Sequence, residues 1–278
     1  MPAKGLSLHL GLNLVDPAQY EGWDGALTAC EYDAKDMRAL ALKQGFKPTM
    51  LLTAQVTSAT VIAAIQAAAK QLARGDIFFV SYSGHGGQVP DTNHDESRLP
   101  TGLRDKYDET WVLYDRQLVD DELYALWAKF KPGVRIVMLS DSCHSGTVSK
   151  APPAFLEGGP RGARYRFMPP AVADKTFRAH RKLYTDIQKN TPTTEKAVVR
   201  STVLLISGCQ DNQTSLDGDR NGLFTEKLRK AWANGKFNGA HRIFRDKIAS
   251  TMPGSQSPNY FVTGAANPAF ELQKPFTI

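Results

Sequence analysis

Cysteine is scarce in this chain: Cys30, Cys143 and Cys209 are the only three among 278 residues, widely spaced and without a C-x-x-C pair. An odd, scattered set of thiols excludes a disulfide framework and a structural zinc site, so each cysteine is core filler or a reactive thiol. Long apolar runs are also missing. No stretch approaches the ~20 residues a membrane-spanning helix needs, and the opening MPAKGLSLHLGLNLVD lacks the apolar centre and cleavage site of a signal peptide. These absences predict no membrane association and a cytoplasmic location. What is present is ordinary globular material, 42% hydrophobic and 22% charged, in a chain long enough to bury roughly three quarters of its unfolded surface without staples.

The net charge of +6 is confined to one segment. Residues 150–200 hold eleven Lys/Arg against four Asp/Glu, leaving 23 basic and 24 acidic residues elsewhere. A basic body suited to nucleic acid is therefore excluded, and no basic motif interleaved with aromatics points to nucleic-acid binding.

Strand–helix alternation runs through the sequence. Strands are predicted at Leu6–Asn13, Met50–Leu52, Ile77–Tyr82, Thr110–Tyr114, Val134–Ser140, Ser201–Ser207 and Asn259–Thr263. Helices are predicted at about Ala26–Lys43, Thr57/Ser58–Arg74, Asp120–Lys129, Leu223–Ala233 and Ala240–Met252. Apolar, unalternating strands between helices indicate an α/β protein with a mostly parallel central sheet covered on both faces. Residues 83–108 read as a polar loop. Residues 150–200, rich in Pro and Gly with one candidate helix near Lys175–Lys189, read as an exposed basic linker. The expected organisation is one domain over 1–278, with a large part (1–149), the linker (150–200) and a small part (201–278).

Two buried strands end in conspicuous loops. IFFVSYS runs into Gly84-His85-Gly86-Gly87, and VRIVMLS into Asp141-Ser142-Cys143-His144-Ser145-Gly146. In open α/β sheets ligands bind beyond the carboxyl ends of the strands. A thiol and an imidazole delivered there from separate strands can act as nucleophile and proton carrier in acyl transfer. The flanking glycines let backbone approach a substrate closely and aim N–H groups at a developing oxyanion. Alone, either residue reads as a loop histidine or a buried thiol; the pairing singles out Cys143 and His85. His144 points away from its neighbour in an extended loop and reads as structural.

At these residues the chain resembles the metacaspases and bacterial orthocaspases, caspase-like cysteine peptidases. SYSGHGG (81–87) and DSCHSG (141–146) are similar to that family's His and Cys boxes, whereas the Q-A-C-x-G signature of caspases proper is absent. GWDGALTACEYDAKDM (22–37), VDDEL (119–123) and SGCQDNQTS (207–215) extend the resemblance over most of the chain. It implies a three-layer αβα caspase-like sandwich, a Cys143–His85 dyad and an oxyanion hole from the backbone N–H groups of Gly86 and Cys143. It also implies peptide or protein substrates with a basic residue at the cleaved position. The family's basic-residue pocket matches Cys30, Asp33, Ser83 and Asp141, and two carboxylates suit a guanidinium. The planar fork makes Arg the preferred choice over Lys. Asp33 also reads as a solvated helix residue and Asp141 as a turn-forming one. Asp211 could line the cleft, and Cys209 reads as packing.

The resemblance raises calcium as well, through Asp108, Asp120 and Asp121. Lys150, seven residues after Cys143, stands where the family carries a further aspartate, and calcium wants six to eight oxygens. VDDEL also reads simply as acids at a helix N-terminus. The expectation is no required cofactor, with calcium dependence absent or weak. An Arg-rich stretch close after the Cys box predicts self-processing, with Arg161, Arg164, Arg166, Arg178, Arg181 and Lys182 as candidate sites. The competing expectation is a catalytically silent caspase-like scaffold that binds a partner through the cleft.

Overall fold

The computed structural model describes residues 2–93, 106–142, 164–191, 198–209 and 215–278. The sheet is built from strands β1 (Gly5–Gly11), β2 (Lys47–Leu52), β3 (Ile77–Ser83), β7 (Arg135–Asp141), β8 (Thr202–Ser207) and β9 (Asn259–Gly264). Their spatial order is β2-β1-β3-β7-β8-β9, parallel throughout except β9. A small antiparallel sheet, β4 (Gly86–Pro90), β5 (Tyr107–Val112) and β6 (Gln117–Val119), stands apart from it. The helices are α1 (Cys30–Lys43), α2 (Ser58–Gln71), α3 (Asp120–Trp127), α4 (Pro170–Ala179), α5 (Arg181–Asn190), α6 (Leu223–Trp232), α7 (His241–Ala249) and α8 (Pro268–Glu271).

Strand periodicity sorts the core into two layers. Along β3, Phe78 and Val80 join Val61, Ile65, Leu123 and Leu126 from α2 and α3 on one face. Ile77 and Phe79 join Met37, Leu40, Phe224, Leu228 and Phe244 from α1, α6 and α7 on the other. Successive side chains of a strand point to opposite faces, so a strand covered on both faces must be apolar at every position. The result is the αβα sandwich that the resemblance implied. Among the described residues no helix is long and apolar enough to cross a membrane.

Three features depart from the sequence reading. Helix α1 begins at Cys30 rather than Ala26, because residues 26–29 are held outside it: Asp217 accepts the backbone N–H groups of Thr28 (2.8 Å) and Ala29 (3.3 Å). The polar loop after Ser83 contains β4, a strand whose Gly86 and Gly87 carry no strand propensity and form it only through pairing with β5. The third is the linker, which in its described part is not an exposed tether. Helices α4 and α5 bury Phe177 and Tyr184 against Val89 and Val119, and Arg166 and Met168 before them are buried too.

Candidate active site

Register brings the pocket residues side by side. Gly11 pairs with Ser83 and Ser83 with Asp141, so β1, β3 and β7 end together at the carboxyl edge of the sheet. Helix α1 starts directly above: a Cβ on Gly11 would lie 2.4 Å from the Cys30 carbonyl oxygen, so only glycine lets the helix come this close. Cys30 is buried, and burial pushes its thiol well above the usual range. One turn on, Asp33 is 1% exposed and faces Ser83, whose hydroxyl donates to it at 2.8 Å.

Asp33, Ser83 and Asp141 converge on one guanidinium, that of Arg166, which is wholly buried. Its Nη2 lies 2.7 Å from Asp33 and 2.9 Å from Asp217, and its Nη1 lies 2.8 Å from both Asp141 and the Ser83 hydroxyl. Each carboxylate is braced in turn. Asn221 Nδ2 (2.8 Å) and the Gly222 N–H donate to Asp33, while the Ser215 (2.6 Å) and Thr225 (2.9 Å) hydroxyls donate to Asp141. Gly222 forms a wall of the pocket; a Cβ there would lie 2.5 Å from the Arg166 guanidinium. Burial raises Asp33 to about 6 against the pull of Arg166, and neighbouring Asp141 adds to the rise. Burial acts on Asp217 in the same sense, but Arg166 and the Thr28 amide outweigh it and hold that carboxyl below its ordinary value. Against the cost of burial, the three carboxylates hold Arg166 charged.

His85 follows β3 by two residues and is nearly buried. The Tyr82 hydroxyl donates to the His85 carbonyl at 2.6 Å and pins its backbone, and the Trp23 ring packs 4.8 Å from the imidazole. Nε2 lies 3.0 Å from the Gly25 carbonyl. A carbonyl only accepts, so Nε2 carries the proton and Nδ1 is left as a bare acceptor, with no partner among the described residues. Burial pushes the imidazole down to about 4, outweighing the upward pull of the Gly25 carbonyl. Next in sequence, the Gly86 N–H donates to the Arg166 carbonyl at 3.1 Å. A partly open cavity of about 320 Å³ adjoins these groups, lined by Trp23, His85, Arg164, Tyr165, Phe167 and Pro169.

Cys143, His144, Lys150, Arg161 and Asp211 lie outside the described residues. Ser142, the last described residue before Cys143, is buried, its hydroxyl 2.8 Å from that of Ser140. Cys209 is buried as core packing, its Sγ 3.4 Å from the Ser142 carbonyl. Of the self-processing candidates, Arg178 lies in α4 and Arg181 and Lys182 open α5. Helical backbone does not offer the extended strand that a cleft binds by main-chain pairing. Arg164 is exposed, and Arg166, expected in an exposed linker, fills the acidic pocket instead.

Of the three aspartates raised for calcium, Asp108 lies in β5 and Asp120 and Asp121 open α3. Asp108 lies two residues before Thr110, which pairs with Val119, just ahead of Asp120 and Asp121. Asp120 accepts the Asp121 N–H at 3.0 Å in the first turn of α3, and Asp121 accepts from Asn93 Nδ2 at 3.0 Å. Among the described residues no three His, Cys, Asp or Glu converge as metal ligands. Among the described residues these three carboxylates do not supply the six to eight oxygens that calcium takes.

Gly25, Trp23, Asp217 and Gly222 were not legible as site residues. Asp217 lies in LDGDRNG, and only tertiary contacts mark it, from Thr28 and Arg166 in distant parts of the chain.

Comparison with known proteins supplies the affiliation. A profile of the caspase domain matches residues 14–269. Metacaspase-1 of Mycosarcoma maydis is 32% identical over 256 residues, 81% of this chain and 60% of the relative. Metacaspase-1 of Kluyveromyces lactis is 31% identical over 198 residues, 64% of this chain and 44% of the relative. The chain thus spans only part of the length of these curated relatives. Protein GSU0716 from Geobacter sulfurreducens, known from a crystal structure, is 53% identical with a TM-score of 0.88, covering 99% of this chain and 98% of that one. With the profile running across both halves of the sandwich, the chain belongs to the caspase-domain family of cysteine-type peptidases and is metacaspase-like within it.

Proposed function

We propose that the protein is an endopeptidase that cuts peptide chains after Arg, and less readily after Lys, with Cys143 as nucleophile and His85 as proton carrier. The observation that carries this reading is the acidic pocket. Asp33 and Asp217 present carboxylates to one terminal nitrogen of a single guanidinium and Asp141 to the other, with the Ser83 hydroxyl beside it. An ammonium lacks the fork that meets several acceptors at once, which favours Arg.

The chemistry follows from His85. Its bare Nδ1 takes the Cys143 thiol proton, and the thiolate adds to the substrate carbonyl carbon. Negative charge gathers on the carbonyl oxygen, where the Gly86 and Cys143 N–H groups donate to it. His85 returns the proton to the leaving amine, leaving a thioester. Water, deprotonated at the same nitrogen, then releases the acid and regenerates the thiol. No step is routed through a metal, and we take calcium to be dispensable. A free thiol nucleophile suits a reducing compartment, and the cytoplasm is where we place the protein.

The same pocket makes the chain its own substrate, with Arg164 and Arg166 as the candidates outside helices among the described residues and Arg161 as a further candidate beyond them. A panel of fluorogenic peptides with Arg, Lys or Asp at the cleaved position, each with EGTA or calcium, tests the reading. Cleavage in the order Arg, Lys and no Asp, lost in Cys143→Ala together with any self-cutting, is expected. Turnover of Asp peptides alone would sink the pocket assignment, and no turnover under any condition would favour the silent scaffold.

A further inference from the structure

We infer that Asn221 is the positioning residue of the acidic pocket. It holds Asp33 as a carboxylate aimed at the second terminal nitrogen of a bound guanidinium, and so sets the preference for Arg over Lys. This rests on the peptidase reading above and names a determinant of its specificity.

Asn221 Nδ2 lies 2.8 Å from Asp33 Oδ1 and 2.9 Å from Asp36 Oδ2, and its Oδ1 accepts from Arg229 Nη1 at 2.9 Å. Arg229, on α6, also pairs with Asp36 at 2.9 Å. These partners fix the amide. Two carboxylates face the nitrogen, which only donates, and a guanidinium faces the oxygen, which only accepts. Asp33 and Asp36 lie three apart on α1, where side chains share a face. An apolar residue at 221 would leave those two like charges with no donor between them. With Asp33 Oδ1 taken up by Asn221, Oδ2 is presented to the Ser83 hydroxyl (2.8 Å) and to Nη2 of the guanidinium (2.7 Å).

Specificity turns on that second nitrogen. Nη1 meets Asp141 and Ser83 while Nη2 meets Asp33 and Asp217. An ammonium is a single point of charge and cannot fill both positions, so the preference for Arg follows the fraction of Asp33 that is ionised. The charged and titratable groups around Asp33 are Arg166, Asp141 at the end of β7, Asp217 in the 215–222 turn, Cys30 and Asp36 on α1, and Arg229 beyond Asp36. Burial raises Asp33 to about 6 against the pull of Arg166; Asp141 adds to the rise and the Asn221 hydrogen bond opposes it. At that value one hydrogen bond decides the charge near neutrality. Two to three donated bonds lower a carboxyl by about two pH units, so one is worth about one. Losing Asn221 then cuts the ionised fraction of Asp33 about fivefold at pH 6 and by only about a tenth at pH 8.

The test compares the full chain with its Asn221→Leu variant, which keeps a branched side chain and donates nothing. The readout is the ratio of kcat/KM for Arg peptides to that for Lys peptides, which neither a smaller folded fraction nor a competitor for the pocket can change. The ratio should fall about fivefold at pH 6 and by less than about twofold at pH 8. Asn221→Ala should behave alike and serves if the Leu variant does not fold. In the Cys143→Ala chain, the Asp33 carboxyl followed by NMR should titrate about one pH unit higher once Asn221→Leu is added. An unchanged ratio at pH 6, an equal fall at both pH values, or an unmoved Asp33 titration would overturn the inference. The NMR experiment requires no turnover, so a chain that cuts no peptide would sink the peptidase reading and leave Asn221 to be decided by the titration.

Discussion

The sharpest consequence of the pocket concerns stability rather than activity. Replacing Arg166 by Met in the Cys143→Ala chain keeps a stem of similar volume and removes the cation that pairs with Asp33, Asp141 and Asp217, all nearly inaccessible. Deleting one partner of a buried ion cluster costs about 3–5 kcal/mol, because the charges left behind are uncompensated. The cost depends on pH in a defined sense. A carboxyl whose folded pKa lies above its unfolded value near 3.9 supports the fold fully below that value, and the support is lost as pH rises through the folded value. Asp33 already titrates at about 6 with Arg166 in place, and without it the folded value moves higher. The deficit should therefore be full at pH 8 and roughly halved by pH 5. For a chain of this size 1 kcal/mol moves the melting temperature by about 2–4 °C, so scanning calorimetry should read a loss of about 10 °C at pH 8 and about 5 °C at pH 5. An equal loss at both pH values, or none at pH 8, would refute the electrostatic account of the pocket.

Two other outcomes follow from the geometry. Burial beside Trp23 holds His85 down to about 4 despite the Gly25 carbonyl, so imidazole titration by NMR in the Cys143→Ala chain should show it neutral throughout pH 5–8. A lowered histidine supports the fold above its unfolded value near 6.5 and loses that support as pH falls through 4; an ordinary titration near 6.5 would remove the buried-base description. Gly222→Ala keeps an allowed backbone (φ −60°, ψ 152°) but places a methyl 2.5 Å from the guanidinium site. Because a displacement of about 1 Å costs ~100-fold in a positioned reaction, kcat/KM for Arg peptides should fall about that much in a chain that still folds, and an unchanged value would show that Gly222 is not a pocket wall.

How much of this was legible in the sequence divides by the range of the interaction. Buried strands such as Ile77–Ser83 and Arg135–Asp141 announce themselves as apolar runs, because both of their faces are covered. The glycine-flanked His85 at the end of one is visible for the same reason. Strand β4 is not, since Gly86 and Gly87 acquire strand geometry from β5 and not from their own preferences. The linker was misread through its composition. Proline, glycine and eleven basic residues suggested solvent, yet Phe177 and Tyr184, one from each of α4 and α5, pack together against Val89 and Val119. Arg166 could not have been separated from Arg164 by any local pattern. One is exposed and the other buried because three carboxylates, from α1, the end of β7 and the 215–222 turn, meet at a point that only tertiary folding creates. Charge counts place the arginines and the acids in separate segments of the chain. Their contact makes the basic segment part of the acidic pocket, so a substitution at Arg166 alters the pocket itself.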